Sequence, residues 1–114
     1  MPVGSDVDRG FVGIVTADLH LPTAASLKDK RKPLAGLKAA LDRATGGSVG
    51  EVGDHDILRR SQISLAVVAV SASEAMRLCD VAERVIFNGA FEVVSVHRHV
   101  ASVQELLPDG PEVI

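Results

Sequence analysis

The sequence predicts an α+β sandwich: one antiparallel sheet of four strands with two helices packed on a single face. Two segments, 34–44 and 75–86, repeat apolar residues at three- and four-residue spacing, as the buried stripe of a helix does. Four others, 11–21, 49–53, 62–70 and 91–100, alternate in polarity or concentrate β-branched residues. The segments follow one another as strand, helix, strand, strand, helix, strand.

In the first strand Phe11, Gly13, Val15, Ala17, Leu19 and Leu21 share the face expected to be buried, while Val12, Ile14, Thr16, Asp18 and His20 share the other. Pro22 ends it. The first helix stacks Leu34, Leu37, Leu41 and Ala44 on one side. Ser26 with Asp29 fits a helix cap, but Pro33 would then remove a hydrogen bond inside the helix. The expected start is therefore near Lys30, with Pro33 in the first turn, and Gly46-Gly47 marks the end. A polar loop over 54–61 joins the second and third strands. In the third, Ile63, Leu65, Val67 and Ala69 face the core, and Ser64, Ala66, Val68 and Val70 face away. Ser71 and Glu74 cap the second helix, whose stripe is Ala75, Leu78, Cys79, Ala82, Val85 and Ile86. Asn88-Gly89 closes that helix, and Pro108, Gly110 and Pro111 follow the last strand.

Right-handed crossovers arrange such a chain as a ferredoxin-like βαββαβ sandwich with sheet order 4-1-3-2. The expected division is a flexible arm over 1–10, a single domain over 11–102 and an irregular tail over 103–114. At 114 residues and 46% apolar content the chain can build one core. The longest apolar run, Leu65 to Val70, is too short to cross a bilayer, so no membrane partner is expected. The opening residues, with Asp6 and Asp8, do not read as a signal peptide, and a cytoplasmic location is the expectation. A lone cysteine, Cys79, excludes a disulfide within this chain and a cysteine-based zinc site. The formal net charge of −3 gives no global attraction to nucleic acid. Phe11, Phe87 and Phe91 are the only aromatic residues, so there is little on which to stack bases. Any RNA contact is expected to run through phosphates and to weaken with salt.

This topology brings the loop after the first strand and the hairpin after the second to one pole. The first carries Lys28, Lys30, Arg31 and Lys32; the second carries Glu51, Asp54, His55, Asp56, Arg59 and Arg60. His20 ends the first strand at the same pole. Lysines beside the start of a helix suit phosphate, since backbone N–H groups point outward there; the alternative is a solvated run pairing with Glu51, Asp54 or Asp56. Those three carboxylates could also attract a hard cation, but their spacing matches no calcium loop. Asp18 and His20 could support general-base chemistry, yet no nucleophile motif accompanies them. His97 and His99 lie far along the last strand, and a strand spans roughly 17–20 Å, which separates them from His20. No metal, cofactor or catalytic residue is therefore assigned. The sheet face away from the helices carries Val12, Ile14, Ala66, Val68, Val70 and Val93, an apolar surface suited to a second copy, a partner or the tail residues Val103, Leu106 and Leu107.

The run "DLHLPTAASLKDKR" from Asp18 to Arg31, followed by "EVGDHD" from Glu51 to Asp56, resembles the YlxP-like family of small bacterial ferredoxin-like domains. The resemblance spans about residues 11–100 and centres on "HLP", "SLKDKR" and "EVGD". It implies no defined activity. It does imply a setting, because genes of that family commonly adjoin those for translation initiation and ribosome maturation. The expectation is a non-enzymatic accessory protein of ribosome assembly or translation. His20, Lys28, Lys30, Arg31, Lys32, Arg59 and Arg60 would contact ribosomal RNA or a ribosome-associated protein, beside the Glu51, Asp54 and Asp56 loop. A homodimeric interaction module on the open sheet is the alternative, and a small metal-dependent hydrolase using Asp18, His20, Asp54 and Asp56 stands third.

Overall fold

Alternation along the first strand decides which side of the sheet becomes core. In β1 (Phe11–His20), Val15, Ala17 and Leu19 are fully buried, whereas Ile14 is exposed and Thr16 and Asp18 are half-buried. A computed structural model describes residues 10–107, and the remaining elements are α1 (Leu27–Thr45), β2 (Ser48–Gly53), β3 (Arg60–Ala69), α2 (Ala72–Phe87), β4 (Glu92–Ser102) and a one-turn α3 (Val103–Leu106). The sheet order is β2-β3-β1-β4 with every neighbouring pair antiparallel, which is the expected order read from the opposite edge. This is the ferredoxin-like α+β fold. Leu34, Leu37 and Leu41 of α1 and Ala75, Cys79, Ala82 and Ile86 of α2 close over Ile63, Leu65 and Val67 of β3. Among the described residues no helix is long and apolar enough to cross a membrane.

The first helix begins earlier than expected. α1 starts at Leu27, and Pro33 lies within it. Two local bonds hold that start: the Asp29 N–H donates to Ser26 Oγ at 3.0 Å, and Ala25 N–H donates to Asp29 Oδ2 at 3.2 Å. Lys30, in the first turn, is anchored to the β2–β3 hairpin, and this tertiary tie outweighs the single hydrogen bond that Pro33 removes. The buried stripe also stops at Leu41, because Ala44 is exposed.

A bulge in the last strand changes the open face. Asp18 pairs with Ser95 but Leu19 pairs with Val93, so Val94 is the extra residue. Val93 therefore turns toward the helices and packs against the core, which corrects its expected place on the open face; Val94, 66% exposed, stands there instead. The start of the tail is not irregular. Ser102 and Glu105 form a reciprocal capping box on α3, Val103 N–H donates to the Gly10 carbonyl, and Leu106 and Leu107 stay exposed rather than covering the sheet. The expected arm, apart from Gly10, and the tail beyond Leu107 lie outside the described residues.

Gly13 marks the closest approach of α2 to β1. A Cβ there would stand 2.8 Å from Cys79 Sγ and 3.2 Å from Val67 Cγ2. Gly13→Ala is expected to lower stability by about 1–3 kcal/mol in urea unfolding, through overpacking. Cys79→Ala, added to it, should return part of that loss. Strictly additive effects would show that the two sites do not crowd each other.

Candidate functional site

The two loops do meet at one pole, and a buried lysine joins them. Lys30 is 2% exposed. Its ammonium donates to the carbonyls of Asp54, His55 (3.1 Å) and Ile57 (2.8 Å), and lies 3.1 Å from Glu51 Oε2. Glu51 Oε2 also accepts from Ser61 Oγ at 2.7 Å. The Glu51 carbonyl is 3.0 Å from His55 Nε2. Lys30 was expected to face phosphate; burial and these four oxygen partners instead make it the internal fastening of the hairpin. The hairpin turns at Asp54, whose φ of +61° lies in the left-handed region that aspartate tolerates. A second tie runs from Arg59, whose Nε donates to the Ala24 carbonyl at 3.2 Å, while Leu21 N–H donates to the Arg59 carbonyl at 2.9 Å.

The remaining cations are divided by α1 rather than clustered. Lys28 and Lys32 line one groove, together with Leu21, Pro22, Thr23, Ala24, Asp29, Pro33, Ala90 and Phe91; its volume is about 470 Å³. Arg31 lies on the other flank, beside Glu51, His55 and Asp56. Lys28, Arg31 and Lys32 are exposed, and among the described residues none has an ion-pair or hydrogen-bond partner. Arg60 is likewise exposed, with no ion pair or hydrogen bond among the described residues; it sits on the open face opposite His20, close enough to Asp18 to help hold that carboxyl down. By contrast Arg77 pairs with Glu74, and Arg98 is held by Asp80 and Glu83 at 2.7 and 2.8 Å. Phe91, Pro22 and Pro33 were not singled out from the sequence as site residues. They belong to three separate segments, and their convergence is a tertiary fact.

The open sheet face is graded. Near the pole it is polar: His20 Nδ1 lies 2.9 Å from Glu92 Oε1, and Asp18 accepts from Gln62 Nε2 at 2.9 Å and Ser95 Oγ at 2.7 Å. The Ser95 hydroxyl and then the Gln62 amide hold the Asp18 carboxyl below its usual value. Thr16 and Ser64 hydroxyls bond at 2.8 Å in the middle of the face. Ile14, Ala66, Val68 and Val70 are exposed toward the far end, with Val12 half-buried among them. Apolar surface on this mixed face is thus concentrated at the end away from the pole, with Val94 exposed beside the polar end. Among the described residues no three or more His, Cys, Asp or Glu side chains are grouped to hold a metal ion. Burial pushes the Cys79 thiol up, away from the reactive thiolate.

The Lys30–Glu51 pair carries a stability prediction with a sign. Burial pushes the Glu51 carboxyl up, but the Ser61 hydroxyl and the Lys30 ammonium together hold it below its ordinary 4.5. Its contribution is therefore complete above about pH 4.5 and is lost as pH falls through the lower folded-state value. Lys30→Met removes the ammonium from Glu51 and three carbonyls, and is expected to cost about 3 kcal/mol in denaturant unfolding. The Ser61 hydroxyl and the nearby His55 are then left to oppose burial at Glu51, so the loss of stability on acidification should be shallower than in the parent protein. An unchanged slope in Lys30→Met would refute the coupling.

Solved structures with a similar overall arrangement include a structural-genomics target, protein YJCS, at 14% identity, covering 77% of this chain and 96% of that one, with a TM-score of 0.46. A putative antibiotic biosynthesis monooxygenase from Bacillus cereus is 13% identical, covers 84% and 94% of the two chains, and scores 0.40. A dimeric ferredoxin-like protein from an uncultured marine organism is 14% identical, covers 88% and 93%, and scores 0.41. At these scores none bears on the function or assembly of this chain. No curated protein matches it. A family model does match, over residues 12–98, which takes in β1, both long helices, the hairpin and most of β4: the chain belongs to DUF503, a family described as proteins of unknown function.

Proposed function

We propose that this protein is a non-enzymatic accessory protein that holds RNA by its phosphates at the β1–α1 and β2–β3 pole, in ribosome assembly or translation. The observation that supports this reading is the exposed cations Lys28, Arg31 and Lys32 in the first turns of α1 and Arg60 at the start of β3, none with an ion-pair or hydrogen-bond partner among the described residues, at a pole fastened by Lys30 and Arg59. Their backbone is fixed by the helix and strand that carry them, so a phosphate has only side-chain freedom left to restrict. The translational setting rests on the YlxP-like resemblance of the "HLP", "SLKDKR" and "EVGD" segments. The hydrolase alternative has no comparable support. Asp18 is engaged by Gln62 and Ser95, and His20 by Glu92.

Fluorescence anisotropy with single-stranded RNA tests the proposal. Binding should weaken with salt, with a logarithmic slope of about −2 if three phosphates are met. Lys28→Glu with Arg31→Glu should flatten that slope and remove co-sedimentation with ribosomes at low salt. Binding that ignores both salt and the double variant would sink the reading.

A second copy on the open sheet is the alternative reading, favoured by Val68 and Val70 at 76% and 82% exposed. Sedimentation equilibrium decides it: a dimer dissociated by Val68→Glu supports it, and a monomer at high concentration removes it.

A further inference from the structure

We propose that the groove between α1 and the α2–β4 loop is a nucleotide subsite, with the base against Phe91 and the phosphate at Lys28 and Lys32. This deepens the RNA reading: phosphate contacts alone accept any strand, whereas the groove admits only a nucleotide whose base is unpaired.

The location of the aromatic residues is the first support. Of the three phenylalanines, Phe87 is exposed, but the hollow beside it offers one cation, Arg84, alongside two carboxylates, Asp80 and Glu83, that already hold Arg98. Phe91 instead lines a groove shared with two lysines that have no carboxylate partner among the described residues. The groove's one carboxylate, Asp29 in the first turn of α1, is engaged by the Ala25 N–H just before the Ser26 cap. The lysines are one helical turn apart, which places their Cβ atoms roughly 5–6 Å apart and lets both ammonium groups reach one phosphate.

Shape is the second. Pro22, Pro33 and Phe91 supply three rings from three segments, and the volume of about 470 Å³ is that of a small-molecule site. A smaller hollow of about 310 Å³ continues past Pro33, Ala90 and Phe91 between the helices, over Gly36 and Ala40. A ring group with an attached anion satisfies both the walls and the rim. That chemistry is offered by a free nucleoside monophosphate or by a nucleotide within single-stranded RNA.

Anisotropy titrations with a short single-stranded RNA, an abasic strand of equal length and the matching duplex, alongside calorimetric titration with adenosine and uridine 5′-monophosphates, distinguish these sources. The single strand is expected to bind about fivefold or more tighter than the abasic strand. Phe91→Leu should erase that preference and leave abasic affinity unchanged, while Lys28→Gln with Lys32→Gln weakens both strands. Thermal melting checks that Phe91→Leu is folded, and Lys32→Glu, at an exposed position, gives an independent probe of the rim. Equal affinity for intact and abasic strands, or a preference that survives Phe91→Leu, overturns the subsite while the phosphate reading stands. Mononucleotide binding lost in Phe91→Leu, with no RNA binding, supports the subsite and overturns the RNA reading. Absence of all binding overturns both.

Discussion

One ammonium group decides the geometry of the pole. Lys30 meets the carbonyls of Asp54, His55 and Ile57 and the Glu51 carboxylate, so the first turn of α1 and the β2–β3 hairpin move as one body. A buried charge is stable only when its partners satisfy it, and here four oxygens do so. Glu51 is itself fixed by Ser61, which is buried at the start of β3. Sheet, hairpin and helix start are thereby linked through a single polar cluster, and the described residues leave no buried side-chain nitrogen or oxygen without a partner. The early start of α1 is consistent with the same contact, since the helical first turn carries Lys30 to the hairpin carbonyls.

Lys30 also shows what could and could not be read in the sequence. The sheet order, the buried face of β1 and β3, and both long helices follow from periodicity and from the handedness of crossovers, which are local or topological properties. The two loops fall at one pole for the same reason. Which lysine of Lys28, Lys30 and Lys32 turns inward is not a local property. All three have the same side chain within one short run, and only the position of the hairpin carbonyls distinguishes them. The bulge at Val94 was hidden in the same way. A run of valines at Val93 and Val94 gives no sign of where the alternation slips, so Val93 was placed on the wrong face.

Turning Lys30 inward changes what the outside of the pole can do. A run that reads as one basic patch becomes two separate arms, Lys28 with Lys32 on one flank of α1 and Arg31 on the other. Asp29 is withdrawn to the helix cap, so it does not neutralise its neighbours through a direct pair. On the other flank Arg31 shares its surroundings with Asp56, and with Glu51 already paired to Lys30, so a phosphate there meets a weaker positive field than beside Lys28 and Lys32. The groove flank is thus the better electrostatic host although the chain as a whole carries a net charge of −3.

On the proposed reading, the same division would let a chain so poor in aromatic residues discriminate among strands. A single ring is enough for stacking if cations hold the phosphate beside it, because each contact limits the freedom that the other must remove. Phe91 gains that setting from the segment that joins α2 to β4, and the lysines gain theirs from α1. Both segments are tied to the core: Phe91 packs against the buried cluster, and α1 is held by Leu34, Leu37 and Leu41 below and by Lys30 at its start. The Lys30 contacts fix the start of the helix that carries Lys28 and Lys32, and so set one wall of the groove without lining it.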